Sequence, residues 1–172
     1  MPTSKPVAGS VLAPMSFPKL GGGELSVGGA RDNWTLFIVY RGKHCGRCKK
    51  YLKILNDMRG DWAAAGFDVA VVSADTAEKA QADKDEFGWE FDLGYGLTED
   101  QMETLGVYVS SPLSPTETDR NFAEPGTFVM RPDGSILLIS ISNGPSARPD
   151  LVELLDGMIF TVENARPPRG TI

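Results

Sequence analysis

Two apolar runs separated by a helix-like pattern constrain the fold of this chain more than any other feature. Residues 34–40 read Trp-Thr-Leu-Phe-Ile-Val-Tyr, and residues 67–73 read Phe-Asp-Val-Ala-Val-Val-Ser. Continuous β-branched and aromatic runs of this length are typical of strands buried on both faces of a parallel sheet. Between them, apolar residues over 51–58 follow the i, i+3, i+4, i+7 spacing of an amphipathic helix, expected from 45 to 65 with a break near Gly60. The pattern predicts a βαβ unit.

Three further helices are predicted from capping signals and periodicity. Asp75 and Glu78 stand three residues apart, as in a capping box, and open a polar segment that ends near Phe87. Thr98 and Gln101 repeat this spacing before a short helix. Apolar residues at 151, 154, 155, 158 and 159 follow the helical spacing, so we expect the last helix there.

The remaining segments predict hairpins, a loop and two irregular ends. Asp133-Gly134 lies between apolar runs, which is a strong hairpin signal, and residues 110–124 lack periodicity, as in a long functional loop. The order of elements, a βαβ unit followed by ββα, predicts an α/β thioredoxin-like fold with a central mixed β-sheet flanked by helices. We expect one domain over 1–172, with an N-terminal arm and hairpin extension (1–33) and an irregular tail (163–172).

Charge and composition exclude several classes of partner. The 172 residues include 17 Lys+Arg and 23 Asp+Glu, for a net charge of −6. An acidic surface argues against nucleic acid and against anionic membranes. No apolar run approaches the length of a membrane span and the N-terminus lacks a secretory pattern, so we expect a cytoplasmic protein. Two cysteines are too few for a secreted disulfide scaffold, and we expect them to be reduced or redox-active.

Both cysteines lie in one motif, Cys45-Gly46-Arg47-Cys48, between the first strand and the first helix of the βαβ unit. A CxxC motif in this context is typical of a redox-active dithiol. At a helix N-terminus, unpaired N–H groups and the helix dipole stabilise an anion. We therefore predict that Cys45 is an exposed nucleophile and that Cys48, one turn further on, closes a disulfide with it.

Basic residues surround the motif. Residues 41–53 hold six of the 17 basic residues and no acid. Nearby cations lower the pKa of a thiol, so we expect Arg41, Lys43, His44 and Arg47 to tune the thiolate. The alternative interpretations are an exposed loop residue for His44 and a solvated helix face for the lysines at 49, 50 and 53.

A metal centre is not expected. Two cysteines and one adjacent histidine supply too few ligands for zinc, so we predict neither a metal nor an organic cofactor. A purely structural pair of buried thiols is the alternative to a redox centre.

Two segments resemble a known family. Residues 37–48 read Phe-Ile-Val-Tyr-Arg-Gly-Lys-His-Cys-Gly-Arg-Cys, similar to a strand leading into a YRGxxCxxC active site. Residues 125–134 are similar to a PxTFvIdpdG segment, and residues 9–17 to a G-x-x-x-P-x-F pattern. Over about residues 7–162 the chain resembles the alkyl hydroperoxide reductase and thiol-specific antioxidant (peroxiredoxin-like) branch of the thioredoxin-like superfamily. The resemblance implies a thiol-dependent oxidoreductase with antioxidant activity.

The chain departs from the peroxidase pattern of that branch. Typical members carry Thr or Ser three residues before the peroxidatic cysteine and Pro seven before, where this chain has Gly42 and Ile38. They also carry an Arg before the later strand, where Pro125 stands here. The resemblance implies that the missing Thr and Arg orient the peroxide, and Arg41 or Arg131 is the expected substitute.

Pro125 matches instead the cis-proline of thioredoxins. This resemblance implies that Pro125, with Glu124, Gly126 and Thr127, positions a thiol substrate. We expect a cis Glu124–Pro125 bond, with Glu124 facing the cysteines and relaying a proton. The alternative for Glu124 is a solvated loop acid.

These features favour a thiol-disulfide oxidoreductase in which Cys45 attacks a disulfide and Cys48 resolves the mixed disulfide. The alternative is a peroxiredoxin-like peroxidase, in which Cys45 becomes a sulfenic acid that condenses with Cys48. A third hypothesis is a non-catalytic interaction domain that uses loop 110–124. Both catalytic hypotheses require a protein disulfide or peroxide substrate and a cellular thiol reductant, and the resemblance allows a homodimer.

Overall fold

The computed structural model describes residues 5–172 and is built around a central mixed sheet. The elements in chain order are β1 (Met15–Pro18), β2 (Glu24–Val27), β3 (Trp34–Val39), α1 (Gly46–Ala64), β4 (Phe67–Val72), α2 (Ala77–Phe87), β5 (Asp92–Gly94), α3 (Glu99–Leu105), β6 (Val109–Ser110), β7 (Phe122–Ala123), β8 (Gly126–Met130), β9 (Ile136–Ile141) and α4 (Leu151–Glu163).

The sheet has the strand order β5-β4-β3-β8-β9. Strand β4 pairs in parallel with β3 and β5, whereas β8 pairs antiparallel with β3 and β9. The predicted βαβ unit and the hairpin at Asp133-Gly134 are therefore confirmed, as is the mixed sheet. Because β3 is the central strand, the CxxC motif that follows it lies at the middle of the sheet, at the carboxyl end of β3.

The alternation of side chains along β3 explains why this run is apolar throughout. Leu36 and Ile38 enter a core that contains the buried faces of α1 and α4. Phe37 and Val39 point to the opposite face, where the β1–β2 hairpin and α3 complete a second core. Successive side chains of a strand face opposite sides, so a strand covered on both sides needs apolar residues at every position.

Several predicted boundaries change in the structure. Helix α2 is capped by Thr76, whose side chain accepts a hydrogen bond from the Lys79 N–H, so Asp75 is not its cap. Helix α1 continues through Gly60 to Ala64 without a break. Strand β5 has only three residues, too few for a recognisable alternation.

The β1–β2 hairpin and the β6–β7 pair lie outside the central sheet, and residues 1–4 of the predicted N-terminal arm lie outside the described residues. The β1–β2 hairpin is antiparallel, and residues after 163 form no regular element. The loop at 110–124 begins and ends in the short β6–β7 pair, which fixes its two ends beside each other. Within residues 5–172, the helices lack the length and apolar character needed to cross a membrane.

Candidate active site

The two cysteines occupy the first turn of α1, at the carboxyl end of β3. Cys45 is the N-cap of the helix, with extended backbone angles, and its sulfur accepts a hydrogen bond from the Cys48 N–H at 3.2 Å. An N-cap normally offers an oxygen to these unpaired N–H groups. Here a sulfur has that role, so the backbone favours a negative charge on Cys45.

Both thiols are free and buried. Cys45 is 3% exposed and Cys48 is fully buried in the core beneath α1. The expectation of an exposed nucleophile is therefore wrong. As the N-cap, Cys45 directs its sulfur back to the first turn, and it is part of the core that contains the buried face of α1.

Arg148, which the sequence analysis missed, contacts both sulfurs. Its Nη2 atom lies 2.9 Å from the Cys48 Sγ and 3.9 Å from the Cys45 Sγ. The guanidinium also stacks over the Tyr51 ring, and the Tyr51 hydroxyl donates to the Pro149 carbonyl at 2.7 Å. These contacts fix the loop between β9 and α4 against the redox motif. An arginine in a Pro- and Ser-rich segment 100 residues from Cys48 gives no motif signal, and only the fold brings it to the site.

A second arginine reaches the cysteines from the strand side. The Nε of Arg41 lies 3.0 Å from the Glu124 Oε2, and the Arg41 guanidinium is close enough to Cys45 to lower the pKa of its thiol. The other Glu124 oxygen accepts from the Ser110 hydroxyl at 2.7 Å. Glu124 is 4% exposed, so it is not a solvated acid. Its contacts with Ser110 and Arg41 hold the Arg41 side chain in place.

The two thiols have opposite acid strengths. The pKa of Cys45 is lowered to about 5, first by the hydrogen bond from the Cys48 side chain and then by the backbone N–H of Cys48, Arg41 and Arg148, against the effect of burial. Burial raises the pKa of Cys48, and its hydrogen bond to Cys45 adds to that shift. Although Arg148 lies nearer to Cys48, complete burial outweighs this attraction. Cys45 is therefore the thiolate at neutral pH and Cys48 the thiol.

The other predicted tuning residues point elsewhere. The Lys43 ammonium lies 3.8 Å from the Asp83 carboxylate, and Arg47 is exposed on the helix surface. His44 packs edge-on against Phe122, and both of its ring nitrogens lack hydrogen-bond partners. Burial, followed by the charge of Arg41, lowers the pKa of His44. At neutral pH His44 is consequently neutral, and it adds no positive charge beside Cys45.

The lysines of α1 only partly form a solvated face. Lys50 is exposed, and Lys53 pairs with Asp57 one turn away at the surface. Lys49 instead lies 3.6 Å from the buried Asp83 carboxylate.

Gly42 is required by the shape of the active-site loop. Its φ of +131° lies in a region that other residues rarely adopt, and a Cβ there would meet the Asp75 Oδ1 at 2.6 Å. The Asp75 carboxylate accepts the Lys43 N–H at 2.8 Å and so holds the loop in place. No side chain fits at this position, which explains why the Thr or Ser of the peroxidase pattern is missing.

The segment at 124–127 lies beside the site with an ordinary backbone. Residues 5–172 contain no cis peptide bond, so Glu124–Pro125 is trans and the expected cis-proline is wrong. Gly126 begins β8, where a Cβ would lie 2.8 Å from Val107. Thr127 is 3% exposed and lies in β8, opposite Ile38 of β3.

Two further expectations concern charge and metal. Arg131 does not substitute for the missing arginine, because it donates to the Arg166 carbonyl at the far end of β8. In the described part of the chain, no group of three His, Cys, Asp or Glu side chains could hold a metal ion.

Comparisons with known proteins identify the family and the fold of this chain. The model of the AhpC/TSA family matches residues 8–139. No curated protein sequence matches the chain significantly. Among solved structures, a peroxiredoxin-like protein from Aquifex aeolicus superposes with a TM-score of 0.76 at 17% identity, over 91% of this chain and 88% of that one.

Two other structures show the same fold. Peroxidoxin BcpB from Mycobacterium tuberculosis has a TM-score of 0.72 at 16% identity, over 94% of this chain and 99% of its own. AhpC from Enterococcus faecalis has a TM-score of 0.73 at 18% identity, over 94% and 97% of the two chains. With the family match spanning most of the sequence and a CxxC motif at the helix N-terminus, the chain belongs to the AhpC/TSA family and is a thiol-dependent oxidoreductase of thioredoxin-like fold.

Proposed function

We propose that this protein is a peroxiredoxin-like peroxidase that reduces hydroperoxides, with Cys45 as the attacking thiolate and Cys48 as the resolving thiol. The observation that carries the proposal is the pair of guanidinium groups at the buried dithiol. Arg148 touches both sulfurs, and the positive charge of Arg41 acts on Cys45. They supply the positive charge that the peroxidase pattern places at position 125, where this chain has Pro125.

Burial separates this proposal from the thiol-disulfide oxidoreductase that the sequence favours. Cys45 is 3% exposed, so a disulfide on a large partner reaches it only after the surrounding loops open. A molecule of the size of hydrogen peroxide needs far less opening. The trans Glu124–Pro125 bond also removes the feature that pointed to a thioredoxin-type substrate groove. The family match favours the peroxidase as well.

The chemistry follows from the charges at the site. The Cys45 thiolate attacks one peroxide oxygen, the O–O bond breaks, and the sulfur is oxidised to a sulfenic acid. The second oxygen leaves with the electron pair and takes a proton from solvent. Arginine remains charged throughout, so Arg41 and Arg148 stabilise negative charge as it moves from sulfur to the leaving oxygen.

Cys48 completes the cycle. Its sulfur attacks the Cys45 sulfenic acid, the Cys48 proton and the departing hydroxide form water, and a disulfide forms within one helical turn. A cellular thiol reductant then returns two electrons. The identity of that reductant, the cytoplasmic location, the single-domain arrangement and a homodimer stay predictions.

The rate of oxidation of the reduced protein by hydrogen peroxide tests the proposal. We expect a rate constant more than about a hundredfold above that of a free thiol, lost in Cys45→Ser. A wild-type rate close to that of the free thiol would contradict a peroxidase and leave disulfide exchange as the reaction.

A further inference from the structure

A cleft of about 400 Å³ lies between α1 and the loop that leads into α4. Arg47, Lys50, Tyr51 and Ile54 line it from α1, and residues of the segment 145–152 line it from the opposite side. Its volume is in the range of sites for small molecules. We call it the α1–α4 cleft.

The cleft collects the cations that lack a carboxylate partner. The other four basic residues of the segment 41–53 each lie between 2.9 and 3.8 Å from a carboxylate. Arg47 and Lys50 are exposed, and neither they nor Arg148 form an ion pair with a described residue. The acid at the cleft, Asp150, already accepts two N–H groups as the cap of α4. The cleft therefore has an excess of positive charge that an anionic ligand would neutralise.

Apolar side chains complete the walls of the cleft. Ile54 and Val152 are 47% and 64% exposed, and Pro145 and Pro149 line the same space. Exposed apolar surface beside unpaired cations suits an organic molecule that carries carboxylates better than it suits an inorganic ion.

Arg148 separates the cleft from the two sulfurs. Its side chain lines the cleft, while its Nη2 atom lies 2.9 Å from the Cys48 Sγ and 3.9 Å from the Cys45 Sγ. Its remaining hydrogen bond stays within its own loop, where Nε donates to the Pro145 carbonyl at 2.9 Å. A ligand in the cleft is thus one side chain away from the dithiol.

Disulfide formation removes the negative charge that Arg148 contacts. In the dithiol form the guanidinium faces the Cys45 thiolate, whereas in a Cys45–Cys48 disulfide neither sulfur is charged. A partly buried cation without an anion is costly. An anionic ligand in the cleft would give Arg148 a new partner, and the movement of its side chain toward that ligand would uncover the sulfurs.

We propose that the α1–α4 cleft binds the thiol that reduces the Cys45–Cys48 disulfide, and that this reductant is a small thiol bearing carboxylates. The carboxylates pair with Arg47, Lys50 and, in the disulfide form, Arg148. A small thiol is favoured over a protein because both sulfurs are buried behind Arg148, in a cleft of small-molecule size. This inference rests on the disulfide of the proposed function.

The reaction returns two electrons to the protein. The thiolate of the reductant attacks the Cys48 sulfur, the S–S bond breaks, and Cys45 leaves with the electron pair as the thiolate that its N-cap position stabilises. A second thiol attacks the sulfur of the bound reductant, and Cys48 leaves. Of the two protons that the thiols release, one goes to Cys48 and the other to solvent. The products are the dithiol protein and the disulfide of the reductant.

The test compares glutathione with its diethyl ester, which carries the same thiol but no carboxylate. The protein disulfide is prepared with diamide, and its reduction is followed by acid quenching and assay of free thiols. Each rate is divided by the rate at which the same reductant reduces a small neutral disulfide. The variant is the double substitution Arg47→Gln with Lys50→Gln. Lys53→Gln is the matched control, because Lys53 is exposed on the same helix, pairs with Asp57 and does not line the cleft.

In wild type and in Lys53→Gln we expect glutathione to react about tenfold faster than its ester at low salt, and added salt should reduce this ratio. In the double variant the ratio should fall to about two or less, because the charges that attract the carboxylates are gone. The ester should react equally fast in all three proteins, since Arg47, Lys50 and Lys53 make no contact with the sulfurs.

A ratio near one in wild type, or a ratio that the double variant leaves unchanged, would overturn the proposal. Fast reduction by reduced thioredoxin, lost in the double variant and accompanied by a ratio near one, would assign the cleft to a protein reductant and would overturn it too.

The outcome is separate from that of the peroxide assay, because diamide replaces the peroxide. A slow reaction with hydrogen peroxide together with the expected ratio would remove the peroxidase and keep the binding site for an anionic thiol. Fast oxidation by peroxide with a ratio near one would do the reverse.

Discussion

The first turns of α1 and α4 lie beside each other, but the N-cap of α4 is a carboxylate and the N-cap of α1 is a thiol. Asp150 caps α4 with a carboxylate oxygen that accepts the N–H groups of Val152 and Glu153 at 3.0 and 2.9 Å. Cys45 caps α1 with a sulfur. The first turn of α4 contains an acid, whereas that of α1 contains none and is flanked by arginines.

The same physical feature therefore has two uses in this molecule. A helix N-terminus stabilises an anion. In α4 the anion is the exposed Asp150 carboxylate, which accepts two N–H groups, so the interaction contributes to stability. In α1 the anion is a thiolate that would otherwise be protonated at neutral pH, so the interaction contributes to reactivity. Arg148, two residues before the α4 cap, links the two turns by contacting both sulfurs.

The largest expected effect on reactivity comes from replacing the sulfur cap of α1 with an oxygen cap. Cys45→Ser keeps a side chain that accepts the Cys48 N–H, and serine is a favoured N-cap. We expect oxidation of the protein by peroxide to fall to the background rate, while the free energy of unfolding changes by less than about 1 kcal/mol. Denaturant unfolding measures the stability of the variant, and peroxide consumption measures its reactivity. A large loss of stability would show that Cys45 has a structural role that an oxygen cannot fill.

Replacing Arg148, which connects the two turns, should raise the pKa of the Cys45 thiol. Arg148→Gln deletes a charge at both sulfurs, so we expect the pKa of Cys45 to rise by about one unit from about 5. A thiol with a lowered pKa loses its thiolate only as the pH falls through that value. The variant should therefore lose reactivity at a higher pH, with a deficit of about fivefold at the wild-type midpoint and about tenfold well below it.

Alkylation with iodoacetamide as a function of pH measures this shift. Arg47→Gln is the matched control, since Arg47 is exposed within the motif and makes no contact with the sulfurs. Superimposable profiles for the two variants would contradict the role of Arg148.

The backbone conformation of the loop before α1 should affect the stability of the protein. Gly42→Ala places a Cβ against Asp75 at a positive φ, and we expect a loss of about 1–3 kcal/mol in the free energy of unfolding. Gly46→Ala is the control, because a Cβ at Gly46 meets nothing within 4 Å. Chemical denaturation of both variants tests this, and equal stabilities would show that the loop adapts to a side chain.

The smallest effect is expected at the α4 cap. Asp150→Ala leaves two N–H groups without their acceptor and should cost about 1 kcal/mol. Asp150→Ser should recover most of that loss. Peroxide reactivity should stay within about twofold of wild type in both, because the cap contacts neither sulfur. A large loss of reactivity in Asp150→Ala would mean that the α4 cap also holds Arg148 in place.

The sequence predicts those parts of the molecule that depend on local pattern. The apolar runs at β3 and β4, the capping box at Thr98 and the Asp133-Gly134 turn are all local signals, and the structure confirms them. The CxxC motif is equally local, and its place at the helix N-terminus is confirmed.

The parts that escape prediction depend on tertiary contact. Arg148 reaches Cys48 across 100 residues, and Glu124 reaches Arg41 because the β6–β7 pair closes the loop. Asp83 lies in a helix that reads as polar throughout, so its burial is visible only after α2 packs against the redox loop.

The most direct test of the account compares the two single-cysteine variants. Arg148 lies closer to Cys48, yet the account assigns the thiolate and the attack on peroxide to Cys45. Stopped-flow oxidation by hydrogen peroxide, with trapping of the sulfenic acid by dimedone, reports which sulfur reacts. We predict fast oxidation and a trapped sulfenic acid in Cys48→Ser, and only background oxidation in Cys45→Ser. Fast oxidation of Cys45→Ser with slow oxidation of Cys48→Ser would contradict the account and make Cys48 the peroxidatic residue.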